Sequence, residues 1–386
     1  MSQMIEKDSA YVARSYGRIP LVLVSGKGSR VTDEEGNSYI DLGSGIAVNT
    51  FGYADDIWLE AVTKQAEKLQ HVSNYYYTEP YIRLAELLCR KAGMKKVFFS
   101  NSGAEANECA IKAARKYAFD KKGSSFYKII TLTNSFHGRT VTTLAATGQD
   151  SFHEHFLPLT EGFLYCPAND MEQLKKLVSE NDVAAIMFEL VQGEGGVNPL
   201  DKEFVAEMVA LAEKNDIILI DDEVQTGNGR SGHLYAYMAY GFIPDIVSTA
   251  KGLAGGLPIG ATLFNQKTED VYQPGLHGST FGGNPVSCAA ALSVVERLDD
   301  AFLAQVREKS DYIFHKLNAS QGVKKVSGIG LMIGIETEKP VDTVMEACRK
   351  KGVLVLKAKD KVRLLPPLNI SFGDLEEAIE TLLSVL

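Results

Sequence analysis

The sequence predicts an α/β fold in which helices cover both faces of a mostly parallel sheet, with a smaller α+β domain beside it. Three observations lead to this fold class. Helical segments alternate with short strand-like segments from about residue 80 to residue 250. The strand-like segments are almost wholly apolar, which is typical of parallel strands buried on both faces. The chain also has 386 residues, more than one simple core usually holds.

The elements follow in a regular order along the chain. A meander of short strands is predicted at residues 20–42, because turn-forming residues separate its apolar runs. Further strands are predicted at 97–100, 128–133, 184–189, 217–221 and 245–250. Helices are predicted at 80–92, 102–118, 171–180, 201–214, 284–317, 341–351 and 373–385. We therefore predict a large domain at 51–284 and a small domain that combines 1–50 with 285–386.

The composition fits a globular protein and excludes several classes of partner. The net charge is −9 and no block rich in Lys and Arg is present, so we expect no nucleic-acid partner. The 5 cysteines form no CxxC pair, which indicates reduced thiols. The N-terminus lacks the apolar segment of a signal peptide, and no run of about 18 apolar residues occurs. We therefore expect a cytoplasmic protein without a membrane partner.

Small residues follow the predicted strand at 97–100. Ser102, Gly103 and Ala104 lie where the next helix begins, and ligands of open α/β sheets bind beyond the carboxyl ends of the strands. Free N–H groups and the positive end of the helix dipole favour a phosphate at such a point. From this segment alone, an ordinary helix cap at Ser102 is an equally good interpretation.

Asp222 and Lys251 follow two further strands. Taken alone, Asp222 is more simply explained as a structural or solvated acid. Lys251 comes after an apolar strand and before small residues, where burial would lower its pKa and prepare it as a nucleophile. Together, the three strand ends match the needs of pyridoxal 5'-phosphate (PLP). A lysine can form the Schiff base, a carboxylate can keep the ring nitrogen protonated, and a helix terminus can hold the phosphate.

The order of the motifs then identifies a family. The chain resembles the class III, ornithine-type aminotransferases along essentially its whole length. The motifs that carry the resemblance are NSGAEANECAIKAARK (101–116), SFHGRT (135–140), QGEGGV (192–197), DDEVQTGNGRSG (221–232), STAKGLAGGLPIGA (248–261), HGSTFGGNP (277–285) and VRLLPPL (362–368). The resemblance implies a PLP-dependent transferase of fold type I that forms a homodimer with shared active sites.

The resemblance also implies a set of cofactor contacts. Lys251 would form the Schiff base and move the proton, and Asp222 would pair with the ring nitrogen. Phe136 would stack on the ring, and Gln225 would hydrogen-bond its hydroxyl group. Thr280 would reach the phosphate in the neighbouring subunit. The full predicted set of cofactor-binding residues is Ser102, Gly103, Ala104, Phe136, Asp222, Glu223, Val224, Gln225, Lys251 and Thr280.

Four residues would contact the substrates by the same resemblance. Arg139 would bind a substrate carboxylate, since the guanidinium fork matches that group. Arg363 occupies the second carboxylate-binding position, and Glu189 matches the acid that masks an arginine while the amino donor is bound. Ser279 would contact the amino donor. No metal site is predicted, because the histidines at 153 and 155 lack further ligands.

The chain length and the FHGRT and HGSTFGGNP segments favour N2-acetyl-L-ornithine as amino donor and 2-oxoglutarate as acceptor, in arginine biosynthesis. Ornithine, succinylornithine, 4-aminobutyrate and lysine are alternative donors. An aminomutase and a non-enzymatic PLP-binding module are further alternatives. Three segments depart from the family pattern: residues 52–56 lack its Gly-His-x-His-Pro, Leu190 replaces a proline, and Ser327 replaces an arginine.

Overall fold

The computed structural model describes residues 3–386. Its strands are β1 (Leu23–Lys27), β2 (Arg30–Asp33), β3 (Ser38–Asp41), β4 (Lys96–Ser100), β5 (Lys128–Leu132), β6 (Phe163–Cys166), β7 (Val183–Phe188), β8 (Val191–Gln192), β9 (Asn198–Pro199), β10 (Ile218–Asp222), β11 (Ile246–Thr249), β12 (Gly260–Phe264), β13 (Val323–Ile329), β14 (Met332–Thr337), β15 (Val353–Leu354), β16 (Leu356–Ala358) and β17 (Lys361–Leu364).

The helices are α1 (Gln3–Tyr11), α2 (Ser44–Ala47), α3 (Asp56–Lys68), α4 (Glu79–Ala92), α5 (Gly103–Lys122), α6 (Val141–Ala146), α7 (Met171–Glu180), α8 (Lys202–Lys214), α9 (Tyr237–Tyr240), α10 (Pro285–Val295), α11 (Asp300–Asn318), α12 (Val341–Lys350) and α13 (Phe372–Leu383). Short 3-10 turns occur at Asp150–Phe152 and Lys251–Ala254. Within residues 3–386, no helix combines the length and the apolar character that a membrane crossing requires.

The central sheet has the strand order β4-β12-β11-β10-β7-β5-β6. The neighbours from β11 to β6 pair in parallel, whereas β12 runs antiparallel to both β11 and β4. The predicted mostly parallel sheet is therefore confirmed. The sequence analysis missed β12 and β6, which are short and lie among turn-forming residues.

Alternate side chains of the central strands enter two different apolar clusters. On β10, Ile218 and Ile220 pack with residues of α5, whereas Leu219 packs in the larger cluster on the other face. This alternation follows from the two-residue period of a strand, and it shows that both faces of the sheet are buried. It also sends Asp222 towards α5 and Asp221 away from it.

The two ends of the chain meet in smaller sheets. The N-terminal meander β1-β2-β3 continues into β15, which pairs in parallel with β3, and β13, β14, β17 and β16 form a second sheet. The pairing of β3 with β15 agrees with a small domain that combines both ends of the chain. The boundaries 1–50 and 285–386 stay a prediction. The predicted helix at 284–317 is two helices, since Asp299 accepts a hydrogen bond from Phe302 N and caps a new one, α11.

Candidate active site

A cavity of about 600 Å³ opens at the carboxyl ends of β4, β10 and β11. This position is where an open α/β sheet binds its ligands. Most of the residues predicted to contact cofactor or substrate line this one cavity: Ser102, Gly103, Ala104, Phe136, Arg139, Glu189, Asp222, Val224, Gln225 and Lys251. Tyr16 and Val48 also line it and were not predicted.

Lys251 lies directly after β11, in a backbone turn that is held from two sides. Its φ is +42°, a left-handed conformation that is strained for a residue with a side chain. Asn228 Nδ2 donates to Ala250 O at 3.0 Å, and Thr50 Oγ1 donates to Gly252 O at 2.8 Å. These bonds fix the residues on both sides of Lys251 and so direct its side chain into the cavity.

The Lys251 amine has the properties of a nucleophile. Burial lowers its pKa, although Glu194 and Asp222 act in the opposite direction. Within residues 3–386, its Nζ forms no hydrogen bond and no ion pair. An amine with a lowered pKa and no partner can react with a carbonyl group.

Three donors hold the Asp222 carboxylate at the opposite wall. Asn107 Nδ2 donates to Oδ2 at 2.7 Å, and His137 Nδ1 donates to the same oxygen at 2.8 Å. The third bond runs from Val224 N to Oδ1 at 3.1 Å. Because Asp222 is only 3% exposed, these bonds fix the direction in which its negative charge acts.

The sequence analysis missed Asn107 and assigned no role to His137. Asn107 follows Gly103 by one turn of α5, so the spacing within NSGAEAN already places it on the cavity side. His137 lies between Phe136 and Gly138 in the SFHGRT segment, and its side chain is fully buried. Its Nε2 has no hydrogen-bond partner in the described part of the chain, so that nitrogen is available to a water molecule or ligand.

The start of α5 forms a narrow cradle. Ser102 caps this 20-residue helix, since its Oγ accepts a hydrogen bond from Glu105 N at 3.2 Å. A Cβ at Gly103 would lie 2.7 Å from Val224 Cγ1, so only glycine fits between the helix and the wall. The cap interpretation of Ser102 is thus confirmed, and the cap leaves the N–H groups of Gly103 and Ala104, which line the cavity, for a ligand.

These features fit PLP. The cavity supplies an unpaired amine for an aldehyde, a fixed carboxylate for a protonated ring nitrogen, and a helix terminus for a phosphate. Phe136, which the resemblance places against the ring, lies at the cavity wall, and its ring centroid is 5.6 Å from that of Phe152. The donor set of this chain therefore agrees with the cofactor that the sequence predicts.

Arg363 and Glu194 form an ion pair behind the cavity wall, next to the lining residue Gln225. Arg363 Nη1 donates to Glu194 Oε1 at 2.6 Å and to Gln225 Oε1 at 3.2 Å. Arg363 is only 3% exposed. Burial alone would raise the pKa of Glu194, but Arg363 outweighs it and holds that pKa below its usual value.

The prediction that Glu189 masks an arginine is therefore corrected. Glu189 Oε2 accepts from Phe136 N at 2.9 Å, and its Oε1 accepts from Gly193 N at 3.3 Å. Both bonds tie backbone segments together, and burial raises the pKa of Glu189 to about 7. The acid that pairs with Arg363 is Glu194, which lies in the loop between β8 and β9.

Arg139 lines the cavity and has no acidic partner within residues 3–386. Its Cζ lies 4.6 Å from the ring centroid of Phe152 and 5.6 Å from that of Phe136. Such cation–π contacts orient a guanidinium without neutralising it. The cavity is thus lined by one arginine without an acidic partner, and a second arginine, Arg363, lies behind Gln225 and is paired with Glu194.

Glu223 was predicted to contact the cofactor, and the structure corrects this prediction. Its side chain lies on the opposite face from Asp222, where Oε1 accepts from Tyr237 N at 3.0 Å and Oε2 accepts from Thr226 Oγ1. Burial raises the pKa of Glu223 to about 7. Glu223 therefore belongs to the interior of the fold, and it does not line the cavity.

Ser279 and Thr280 line a different depression, a surface groove of about 980 Å³. Ser279 Oγ accepts from Gly282 N at 3.0 Å and from Asn101 Nδ2 at 3.3 Å. Ser279 therefore contacts the residue that precedes Ser102, but it does not line the cavity that contains Lys251. The exposed side chains of Tyr75, Tyr76 and Tyr77 also line this groove. Contact of Thr280 with the cofactor of another subunit stays a prediction.

Asp221 lies next to Asp222 on β10, but its side chain points to the opposite face of the sheet. Its burial there can be tested without any ligand. Burial, with Glu223 and Asp222 nearby, raises its pKa well above the ordinary value, so the folded chain favours the neutral carboxyl. The stability from this neutral group is fully present below the unfolded pKa of about 3.9, and it is lost as the pH rises towards the folded value. The loss is about 1.4 kcal/mol per pH unit in that window.

We therefore expect Asp221→Asn, which mimics the neutral acid, to be more thermostable than the wild type at pH 7. The difference should shrink as the pH falls to about 4. Thermal unfolding of both proteins between pH 4 and pH 8 measures it. An advantage that does not change with pH would contradict this account of Asp221.

Comparison with known proteins agrees with the geometry. The sequence profile described as Aminotransferase class-III matches residues 11–386. The acetylornithine aminotransferase of Haemophilus ducreyi is 50% identical, over 100% of this chain and 98% of its own.

Two solved structures share the fold. That of N-acetylornithine aminotransferase from Stenotrophomonas maltophilia has a TM-score of 0.84 and 34% identity, covering 99% of this chain and 98% of that one. A structure of the ornithine aminotransferase from Toxoplasma gondii, described as having partial occupancy of PLP at its active site, has a TM-score of 0.92 and 30% identity. The match covers 99% of this chain and 94% of that one.

Proposed function

The chain belongs to the class-III aminotransferase family, and on that premise we propose that it transfers the 5-amino group of N2-acetyl-L-ornithine to 2-oxoglutarate. The products are N-acetylglutamate 5-semialdehyde and glutamate, and the reaction belongs to arginine biosynthesis. PLP is the proposed cofactor. When bound, it supplies the aldehyde that carries the amino group and the ring that withdraws electrons from the reacting carbon.

The donor is supported by the acetylornithine aminotransferase relative at 50% identity, and one observation supports its pairing with a dicarboxylate acceptor: Arg139 has no acidic partner, whereas Arg363 is paired with Glu194. A donor with one carboxylate needs a single guanidinium, and Arg139 provides it. The acceptor 2-oxoglutarate has two carboxylates, so the second must take the place of Glu194 at Arg363. Glutamate, the product of the same half-reaction, needs the same exchange.

The chain's own groups supply the proton transfers. Lys251 Nζ would take a proton from C5 of N2-acetylornithine, the carbon that bears the transferred amine, and would pass it to the cofactor within the same half-reaction. In the second half-reaction it would move a proton in the opposite direction, onto C2 of 2-oxoglutarate. Burial lowers the pKa of Lys251 and so favours the unprotonated amine, which is the form that a general base requires. Asn107 and His137 hold the Asp222 carboxylate in one orientation, from which it would pair with the ring nitrogen of the cofactor.

The remaining contacts hold the substrates and cofactor in place. The N–H groups of Gly103 and Ala104 would donate hydrogen bonds to the phosphate, and Phe136 would lie against the ring. We further propose that the active protein is a homodimer in which Thr280 of the partner subunit completes the phosphate site. The groove that holds Ser279 and Thr280, with its exposed tyrosines, supports an interface there.

A screen of amino donors tests the proposed function. The holoenzyme is mixed with 2-oxoglutarate and, in turn, N2-acetylornithine, ornithine, N2-succinylornithine, 4-aminobutyrate or lysine, and glutamate formation is followed. We expect the highest kcat/KM with N2-acetylornithine, by about tenfold or more over a donor that lacks a matched group. The Lys251→Ala protein with the same cofactor content serves as control, because free PLP reacts slowly with amines by itself. The assignment fails if N2-acetylornithine is inert while another donor reacts fast.

A further inference from the structure

Lys361 is a buried lysine without an acidic partner. It is 7% exposed, at the first position of β17, and it forms no ion pair within residues 3–386. Its Nζ donates to Asn198 Oδ1 at 2.9 Å and to Ser327 Oγ at 3.1 Å. Burial of an amine that meets only neutral acceptors is costly, so the bonds it makes must matter to the surrounding structure.

Lys361 and Arg363 lie on the same face of β17, because side chains alternate along a strand. In the neighbouring strands, Arg363 is opposite Gly334, and Gly334 is opposite Ser327. A Cβ at Gly334 would lie 2.8 Å from Val197 Cβ. The sheet therefore leaves room at position 334 for Val197, which belongs to the loop that carries Glu194.

That loop, residues 193–198, has a strained backbone. Val197 has a φ of +54°, which is a true outlier for a β-branched residue, and Gly196 has a φ of +106°. Such conformations persist only when the surroundings over-determine them. Val197 is fully buried against Met332 and Leu365, which fixes it by packing.

The two ends of this loop are attached to β17 by two different cations. Arg363 binds Glu194 near the start, and Lys361 binds Asn198 at the end. Asn198 Nδ2 in turn donates to Gly195 O at 2.9 Å. By holding the Asn198 side chain, Lys361 therefore also restrains Gly195, the residue after Glu194. When Arg363 turns to a substrate carboxylate, Lys361 is the cation that still holds the loop.

We propose that Lys361 is a positioning residue, which fixes the 193–198 loop through Asn198 so that Glu194 returns to Arg363 whenever a donor with one carboxylate is bound. This inference rests on the proposed function and names the residue that regulates its carboxylate exchange. At position 327, a small serine replaces the arginine of the family pattern and leaves space for the Lys361 amine.

The test compares two donors on the same PLP-bound enzyme. N2-acetylornithine needs Arg363 covered by Glu194, whereas glutamate needs Arg363 uncovered. We expect Lys361→Met to lower kcat/KM for N2-acetylornithine about tenfold, as the loss of a charged hydrogen bond does, while kcat/KM for glutamate changes less than about twofold. General structural damage would lower both values equally, because both donors use Lys251, Asp222 and Arg139.

A second readout does not depend on activity. Hydrogen exchange of the amides at 193–198 should become faster in Lys361→Met, both with and without cofactor. Lys361→Arg keeps a positively charged hydrogen-bond donor at this position. It should restore most of the wild-type ratio of kcat/KM for N2-acetylornithine to kcat/KM for glutamate. The matched control is Lys357→Met on the adjacent strand, since Lys357 only pairs with Asp342 at the surface and should change neither readout.

Asn198→Ala removes the acceptor of the Lys361 hydrogen bond at an exposed position of the loop. It tests the same role of Lys361 if Lys361→Met does not fold. A donor ratio within about twofold of wild type in both variants, with unchanged exchange at 193–198, would overturn the role of Lys361. Failure of the wild type to use N2-acetylornithine would instead refute the proposed function. The exchange experiment would still decide whether Lys361 holds the loop.

Discussion

Lys251→Ala is expected to lower turnover about 10⁴-fold, because one nitrogen serves both as the covalent attachment point and as the general base. The variant should keep part of its cofactor without a covalent bond, since Asp222 and the start of α5 remain in place. Steady-state turnover with N2-acetylornithine and 2-oxoglutarate measures the first effect. The cofactor that remains bound after gel filtration measures the second.

Lys309→Ala provides the matched control for this variant. Lys309 is another lysine whose pKa is lowered by burial, but within residues 3–386 its Nζ donates only to Leu368 O, at 2.9 Å, and it does not line the cavity. Its removal should reduce thermal stability and leave kcat within about twofold of wild type. If Lys251→Ala retained more than about a hundredth of the wild-type rate, Lys251 would not be the reacting amine.

Asp222→Asn is expected to have the second largest effect, a fall in turnover of about 10²- to 10³-fold. The substitution keeps the size of the side chain and removes a buried charge that three donors hold in place. Loss of one partner of a buried charge pair costs about 3–5 kcal/mol, and the lower half of that range, about 3–4 kcal/mol, corresponds to this fall in rate. Single-turnover conversion of the PLP-bound enzyme by N2-acetylornithine measures it.

Asp221→Asn is the control for Asp222→Asn, because the two acids are neighbours on β10 and face opposite sides of the sheet. The Asp221 variant should turn over at nearly the wild-type rate. Equal losses in both variants would show that the effect belongs to the strand as a whole. A rate within about threefold of wild type for Asp222→Asn would show that the ring nitrogen does not depend on this carboxylate.

The strand ends could be predicted from the sequence because each follows a buried apolar run. β10 and β11 lie within one or two residues of their predicted bounds, and Asp222 and Lys251 consequently fall at the same edge of the sheet. The direction of Glu223 could also have been deduced, since the two-residue period that turns Asp222 towards α5 turns Glu223 away. The prediction failed there because family roles were assigned to consecutive residues.

The partner of Arg363 could not be predicted from local patterns. Glu189 lies before β8, whereas Glu194 lies in the loop after it, residues 193–198, whose path depends on Val197 packing into the space left by Gly334. Arg363 lies on a strand far along the chain, and only the tertiary arrangement decides which acid it meets. The same limit applies to Lys361 and Asn198, which no motif connects.

The central claim is that Lys251 holds the cofactor covalently, and borohydride reduction of the holoenzyme tests it most directly. Reduction fixes the imine as a stable amine, after which proteolysis and mass spectrometry locate the added pyridoxyl phosphate. The account predicts a single modified peptide that contains Lys251. A modification at any other lysine, or a holoenzyme whose Lys251 peptide stays unmodified after reduction, would contradict it.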